Sequence, residues 1–545
     1  MKKTDWRGLT LCLLAVALTL GGLPFLKGAF YIGKHEGDTV QMADIVFRIA
    51  QGAWPHLDFM TPIGLLAAAP IALFVHFGLG FGHAIFAAQL MVALILLPAA
   101  VAVISRRARD DWSPWLYGAL VMVFCVGLVH GEAQNSISIS MHYNRWAWAI
   151  AYVIVPIVLL PPRGGERPLL DGGILGIGLA ALVLIKATYF VSLAPGLLIG
   201  LIARRWWGTT LAAVGAGLAV AGVVTALAGV SFWTAYAHDL LTVANSAARP
   251  QPGEPFGMVA AAPAYMGATM TLLATVIFLR QAGRMTEGMV LLFLVPGFFY
   301  IVFQNYGNDP QWLPAVAFFA WTLRPDQETR TARGMDLRSA LLTCAMLAAA
   351  FGFPSVANMA YSPFRHLAAA TGKTASLLAI PGQDDVKVLE SRLFGVMESR
   401  AGDGPGTPYA IYQPKNGRKD PAMLNGEVLP YCEQVSGLRA WFETATHDME
   451  SAGYRGKKML AVDLFSSFYL YGDVQPVPKA APWNYGTLAG VDQADYLVVP
   501  LCPTSIPIRA SVLKALKEAN YTLTIKERRP LYIVLEAKKA SISGG

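Results

Sequence analysis

The sequence predicts a mostly α, polytopic membrane helix bundle followed by a C-terminal α/β domain. Hydrophobic residues make up 55% of the 545-residue chain, charged residues only 14%, and the mean hydropathy is +0.46. Apolar runs repeatedly approach the length of about 17–25 residues that crosses a bilayer. After about Phe364 these runs stop, and Pro, Gly, Asp and Lys become more frequent, which marks a second domain.

The distribution of basic residues predicts how the bundle lies in the membrane. If every apolar segment crossed the bilayer, Arg106, Arg107 and Arg109 would face outward, against the preference of basic residues for cytoplasmic loops. We therefore predict eleven spans and assign Ile63–Phe77, which contains Pro70, to a helix on the outer surface. The N-terminus is then cytoplasmic and the C-terminal domain periplasmic, in a bacterial-type inner (plasma) membrane.

This topology defines two domains. Residues 1–355 form the transmembrane domain, with a first outer loop at 27–82, and residues 364–545 form the periplasmic α/β domain. Leu9–Leu26 resembles a signal sequence without an A-x-A cleavage site, so we expect an uncleaved first span, with a cleaved signal as the alternative. In the outer domain the predicted strands are Lys457–Phe465, Tyr496–Leu501 and Tyr532–Leu535, and the predicted helices are Leu438–Ser451 and Ile508–Ala519.

The five cysteines divide between the two domains. Cys12, Cys125 and Cys344 lie in apolar runs and are expected to be small core residues. Cys432 and Cys502 lie in the predicted outer domain, where an oxidising compartment would favour their pairing. We therefore predict a disulfide between these two.

Charge and motifs exclude several classes of function. The net charge of +8 arises mainly from short loops between apolar runs, where basic residues set orientation, so no nucleic acid is expected as a partner. The chain contains no Walker A motif, no dinucleotide-binding glycine pattern, no H-E-x-x-H motif and no zinc-ligand spacing.

The first outer loop carries the acidic motif Glu36-Gly37-Asp38 directly after the first span. Carboxylates beside a membrane are costly unless they are solvated or used. Residues after the motif follow a helical spacing, so the two acids either cap this helix or include a general base. A second stretch, Gly52–Gly64, contains two prolines and the polar residues His56 and Asp58, which either hold the loop or touch a substrate.

Together, E-x-D and the following G-x-x-P-x-x-D-F stretch, with its surface helix, resemble the GT-C superfamily of membrane glycosyltransferases, which includes protein O-mannosyltransferases and the aminoarabinose transferase of lipid A. The resemblance implies that a sugar passes from a polyprenyl-phosphate carrier to a lipid, glycan or protein acceptor on the outer face. It implies a catalytic carboxylate in the first outer loop, with Asp38 in the base position and Glu36 beside it. The C-terminal domain is outside this resemblance.

Other outer loops supply candidate substrate contacts. Arg145 closes a His-Tyr-Asn-Arg cluster, and Lys186 lies between two apolar runs; both cations suit a phosphate, but interfacial anchoring and snorkelling are the structural alternatives. The loop Gln304–Trp312 is dense in hydrogen-bonding groups, as a sugar site or an ordinary turn would be. The predicted substrate-binding residues are His56, Asp58, His142, Tyr143, Asn144, Arg145, Lys186, Asn305, Asn308 and Asp309.

Two other classes of function compete with a glycosyltransferase. A transporter or flippase would need polar residues at mid-bilayer depth, and most predicted spans have none. A non-enzymatic scaffold would use the outer domain to bind a partner. No cofactor is indicated, although carboxylates of the first loop also suit a divalent cation.

Overall fold

The computed structural model describes residues 5–109, 111–131, 136–246, 257, 263–305, 309–400, 402, 408–412 and 422–539. The membrane part is helical, and small sheets are concentrated in the C-terminal part. Its described helices are α1 (Trp6–Gly22), α2 (Glu36–Ala50), α3 (Ala69–His76), α4 (Phe81–Arg107), α5 (Ser113–Val126), α6 (His142–Leu159), α7 (Pro168–Ile185), α8 (Ala187–Ala203), α9 (Trp207–Ala228), α10 (Ser231–Ala244), α11 (Pro263–Gln281), α12 (Met285–Gln304), α13 (Leu313–Leu323) and α14 (Leu337–Leu367).

Six of these helices are long and apolar enough to cross a membrane. Within the described ranges they are α1 with its continuation to Lys27, α4, α7, α9, α12 and α14. Three further apolar helices, α5, α8 and α13, have 14, 17 and 11 residues, fewer than the roughly 20 that span the hydrocarbon core without help. The predicted mostly α, multi-pass membrane protein is therefore supported, whereas length and composition do not establish eleven spans.

The segment predicted to lie on the outer surface forms only short helices. A 3-10 turn at Leu65–Ala67 leads into α3, which has 8 residues and is too short to cross a bilayer. Gly64 sits so close to the end of α7 that a Cβ there would meet the carbonyl oxygen of Leu184 at 2.2 Å. Its N–H donates to the carbonyl of Ile185 at 3.0 Å. The Gly52–Gly64 stretch is thereby fixed against the end of α7.

The C-terminal part contains an α/β unit built on a four-stranded sheet. The described elements are β2 (Thr374–Ser376), β3 (Val386–Leu389), α15 (Glu390–Phe394), β4 (Met397–Arg400), β5 (Met423–Leu424), β6 (Glu427–Val428), β7 (Cys432–Ser436), α16 (Leu438–Met449), β8 (Met459–Ala461), β9 (Tyr496–Pro500), α17 (Ile506–Glu518), β10 (Tyr521–Arg528) and β11 (Tyr532–Lys539). The strand order is β10-β11-β9-β8, with β8 and β9 parallel and the other pairs antiparallel. The three predicted strands and both predicted helices are present, whereas β2–β7, β10 and α15 were not predicted.

One disulfide and one strand pairing organise the C-terminal part. Cys432 and Cys502 form the predicted disulfide, with a Cα–Cα distance of 4.9 Å, and this prediction is confirmed. A short strand in the first outer loop, β1 (Phe30–Tyr31), pairs in parallel with β3. The first outer loop and the C-terminal part therefore share one small sheet, order β1-β3-β2.

Removing the disulfide tests its contribution to stability. The Cys432→Ser/Cys502→Ser variant should unfold at a lower temperature, because the bond closes a long segment of chain (sequence separation 70) and such a constraint typically contributes about 2–4 kcal/mol. Thermal unfolding of the purified full-length protein measures the change. Cys12→Ser removes a half-buried free thiol and serves as the comparison; an equal fall in both variants would contradict the assignment.

Candidate functional site

A cavity of about 510 Å³ lies where the outer-loop helix α2, the helices of the membrane part and the C-terminal unit meet. Four of the predicted site residues line it: Asp38, Tyr143, Lys186 and Asn305. These residues come from four separate segments of the chain. The site roles assigned to them from the sequence stay predictions, but the structure brings these four side chains to one volume.

Asp38 enters the cavity from the first turn of α2. The helix begins at Glu36 after His35, whose φ of 66° breaks the preceding extended backbone. A carboxylate in a first turn is favoured by the exposed N–H groups of the helix. The hydroxyl of Ser140 donates a hydrogen bond to Asp38 Oδ2. Asp38 therefore has one described protein donor and one face toward the cavity.

Glu36 is directed away from the cavity, toward the C-terminal unit. Arg392 donates to both of its oxygens, from Nη2 to Oε2 at 2.8 Å and from Nε to Oε1. Burial would raise the pKa of Glu36, but the hydrogen bonds from Arg392 outweigh burial and hold this pKa below its ordinary value. The geometry thus separates the two acids of the motif, because Glu36 joins two parts of the fold and Asp38 lines the cavity.

A buried ion pair anchors the rest of α2. Asp44 and Arg48, one helical turn apart, approach to 2.5 Å and are 1% and 8% exposed. Ser467 and Tyr469 of the C-terminal part donate to the Asp44 carboxylate at 2.7 and 2.9 Å. Arg48 donates to the carbonyl oxygen of Val477 at 3.0 Å. These contacts fix α2, and with it Asp38, against the C-terminal unit.

Lys186 supplies the positive charge of the cavity. It is the single residue between α7 and α8, so its side chain leaves from the junction of two helices. Its ammonium donates to Asn144 Oδ1 at 3.3 Å and to Asn305 Oδ1, and it lies 5.6 Å from the centroid of the Tyr143 ring. Asn144 also donates to Asn305 at 3.2 Å. Asn144, Asn305 and Tyr143 therefore orient the ammonium group of Lys186.

Arg145 was expected beside Lys186, and the structure corrects this. Its side chain is 0% exposed and is not among the residues lining the cavity. Nη1 donates to the carbonyl oxygen of Phe124 at 3.3 Å, within the contact between α6 and the end of α5. The helical phase of α6 turns Arg145 inward, while Tyr143, two residues earlier, reaches the cavity.

His56 and Asp58 hold their loop and do not line the cavity. His56, with φ of 70°, is 7% exposed and its Nδ1 lies 2.9 Å from a carboxylate oxygen of Asp239, with Tyr236 stacked on the ring. Asp58 is exposed and accepts a hydrogen bond from the N–H of Trp54 at 2.7 Å. The structural alternative therefore describes both residues better than substrate contact does.

Of the remaining predicted site residues, neither His142 nor Asp309 lines the cavity. His142 is 1% exposed and its ring lies against the carbonyl oxygens of Ala67 and Ile139, at 2.8 and 3.3 Å. Asp309 is half-buried and is not a lining residue. Asn308 lies outside the described residues. Of the polar loop Gln304–Trp312, the cavity receives Gln304 and Asn305.

The C-terminal unit contributes an aromatic wall that the sequence analysis missed. Trp483 and Tyr485 both line the cavity. Trp483 packs edge-on against Phe465 at 5.0 Å between ring centroids, and Phe465 in turn lies against Gly37, where a Cβ would meet it at 2.8 Å. No local pattern marks these residues, because only folding brings the C-terminal unit over α2.

Part of the cavity lining is apolar, and it adjoins the aromatic wall, because Val243 and Trp483 pack against the cluster that contains Tyr485. Val191 of α8 and Leu240 and Val243 of α10 form this part of the lining, together with Tyr300 of α12. Val191 is 59% exposed and Tyr300 is 44% exposed, on helices whose outer surfaces are apolar. The cavity therefore combines one carboxylate and one ammonium with apolar side chains that face the surroundings of the bundle, a combination suited to an amphiphilic ligand.

Metal-ligating residue types cluster once in the described part of the chain, as Glu398 with Cys432 and Cys502. The two sulfurs are bonded to each other, so they are not available to a metal ion. Asp38 is the one carboxylate among the described residues that line the cavity. Whether a divalent cation takes part stays a prediction.

Comparison with known proteins yields no match to any protein-family model, curated protein or solved structure. The geometry of the cavity therefore carries the functional argument.

Breaking the anchor of α2 should be costly. Arg48→Met leaves the Asp44 carboxylate buried without its cation, and such losses typically destabilise a protein by about 3–5 kcal/mol. Thermal or chemical unfolding of the full-length protein in detergent measures this. Arg400→Met is the matched control, because Arg400 pairs with Glu398 on the surface, 73% exposed, where a pair is worth roughly 0–1 kcal/mol. Equal effects would show that α2 is not held by this pair.

Proposed function

We propose that this chain is an integral membrane glycosyltransferase of the GT-C type, which moves a sugar from a polyprenyl-phosphate carrier to an acceptor on the outer face of the membrane. The observation that carries the proposal is the position of Asp38 and Lys186 on one cavity with an apolar side. An activated lipid-linked sugar needs a base, a counter-charge for its phosphate and a surface for its chain. The cavity offers all three.

In the proposed mechanism, the phosphate of the carrier lies at Lys186 and its first isoprene units lie along Val191, Leu240 and Val243. Asp38 accepts the proton of an acceptor hydroxyl or amine as that atom forms its bond to the anomeric carbon. The bond between the anomeric carbon and the phosphate oxygen breaks, and its electron pair leaves with polyprenyl phosphate. Lys186 stabilises the charge that develops on this leaving group.

The hydrogen bonds around Lys186 support its role as a fixed phosphate contact. Asn144 and Asn305 hold the ammonium from one side, so its position does not depend on a flexible side chain in solvent. A preoriented charge loses less freedom when a ligand binds. The acceptor, a lipid, glycan or protein, approaches Asp38 from the side of the C-terminal unit.

The proposed topology places the cavity at the outer face. It has eleven spans, a cytoplasmic N-terminus and a periplasmic C-terminal domain, in a bacterial-type inner membrane. The disulfide between Cys432 and Cys502 supports an oxidising compartment for that domain.

Reporter fusions test this topology. A fusion after Arg107 should report a cytoplasmic position, because the predicted span that ends there runs from the outer face of the membrane to the inner face. A fusion after Lys539 should report a periplasmic position. Paired phosphatase and fluorescent-protein reporters measure the two positions. A cytoplasmic report at the C-terminal position would refute the arrangement.

Removing the proposed base tests the chemistry. Asp38→Asn keeps the shape of the side chain and removes its proton acceptor, so turnover should fall by roughly 10²-fold or more. Mass spectrometry of cell-envelope glycans from cells with the wild-type and variant proteins identifies the product, and purified protein then gives the rate. Binding of the carrier should survive, because Lys186 holds the phosphate.

Glu36→Gln is the matched control. It changes the neighbouring acid of the same motif, which does not line the cavity and whose amide oxygen can still accept from Arg392, so it should reduce turnover less than Asp38→Asn. The reverse order would exchange the two roles. Unchanged turnover in both variants would remove the basis for calling this loop catalytic.

A further inference from the structure

The lining of the cavity indicates which sugar the proposed donor carries. Its lipid-facing side is apolar, and Lys186 accounts for the phosphate in the proposed function, on which this inference rests. The wall formed by Trp483 and Tyr485 adjoins the apolar lining at Val243 and presents aromatic rings to the cavity, which suit the group between the phosphate and the acceptor, the sugar ring.

The aromatic wall is linked to the start of α2 by one side chain. Phe465 touches both Trp483 and Gly37, the neighbour of Asp38 in the sequence. The ring of Phe465 therefore lies between Trp483 and the first turn of α2. A group that lies on the indole of Trp483 occupies the same cavity as the carboxylate of Asp38.

The wall is held rigidly by its own backbone. The N–H of Asn484 donates to the carbonyl oxygen of Leu464 at 2.8 Å, and the side chain of Asn484 accepts from the N–H of Thr487 at 2.8 Å. Ser246 donates to the carbonyl oxygen of Tyr485 at 2.5 Å. Trp483 is half-buried and Tyr485 is 5% exposed. A fixed, partly exposed aromatic surface is suited to the C–H face of a pyranose ring.

The charges of the cavity limit which sugar fits. Among the described lining residues, Asp38 and Lys186 alone carry charge, and the proposed reaction uses both. The other polar groups there are neutral, including Gln41, Gln304 and Asn305. A uronic acid would place a second negative charge near Asp38, and an amino sugar would bring an ammonium without a carboxylate of its own. Unpaired charge in such a site is costly.

We infer that the donor carries a neutral pyranose, which stacks on Trp483 of the C-terminal unit beside Asp38. The C-terminal unit is then part of the sugar site, and its aromatic wall determines specificity for the donor.

Binding of defined carriers to the full-length protein in lipid nanodiscs tests this inference. The probes are polyprenyl phosphate without a sugar and the same lipid carrying glucose, mannose, galactose, glucuronic acid or glucosamine. The wild-type protein should bind at least one neutral sugar roughly 10-fold more tightly than either charged sugar, the ratio that corresponds to about 1.4 kcal/mol. Tighter binding of a charged sugar would overturn the inference.

Variants separate the wall from the rest of the cavity. Trp483→Leu should weaken binding of the preferred neutral glycolipid by roughly 3- to 10-fold, the size of an aromatic contact, and leave binding of the sugar-free carrier unchanged. Trp483→Phe should restore part of the loss. Trp207→Leu, at an exposed position that does not line the cavity, is the matched control.

The outcomes distinguish the two proposals. If Trp483→Leu weakens the sugar-bearing and sugar-free carriers equally, Trp483 has only a structural role and the inference fails, while the proposed function stands. If the wild-type protein binds neither the sugar-free carrier nor any glycolipid, the proposed function fails and the inference fails with it.

Discussion

The buried pair Asp44–Arg48 is the interaction on which the arrangement of the site depends. Two charges taken out of water are tolerated only when their remaining hydrogen-bonding capacity is satisfied. Here the partners come from the C-terminal part. Ser467 and Tyr469 donate hydrogen bonds to the Asp44 carboxylate, and the Arg48 guanidinium donates one to the carbonyl oxygen of Val477. Because these partners are specific, α2 has one position on the C-terminal unit, and Asp38 at its start is fixed with it.

The same contact joins two parts that the sequence presents as separate. The β1–β3 pairing, the Glu36–Arg392 hydrogen bonds and the backbone hydrogen bond from Met60 to Ala480 add to it, so the segment predicted as the first outer loop is tied to the C-terminal part at several points. The cavity lies at this joint, with Lys186 supplied by the helices of the membrane part and Trp483 by the C-terminal unit. The membrane part and the C-terminal unit each supply lining groups that the other lacks, and neither encloses the cavity alone.

Local patterns predicted the elements well. Apolar runs identified the membrane helices, and short β-rich runs identified β8, β9 and β11, because these signals depend on residues close together in the chain. β10 was missed although in Tyr521–Arg528 half-buried positions alternate with exposed polar ones, the pattern typical of a strand with one solvated face. The spans were harder to count, because helices such as α13 are shorter than a bilayer requires and their crossing depends on their neighbours.

The sequence by itself determined a mostly α membrane protein, the pairing of Cys432 with Cys502, and the set from which Asp38, Tyr143, Lys186 and Asn305 came. Only the tertiary structure decided which predicted polar residues meet. Arg145 and His142 lie on the inward side of α6, whereas Tyr143 reaches the cavity, and Trp483 arrives from the far end of the chain. Residue type and spacing report what a side chain can do. Which volume it enters is set by helix phase and by the docking of distant segments, and these depend on contacts across the whole fold.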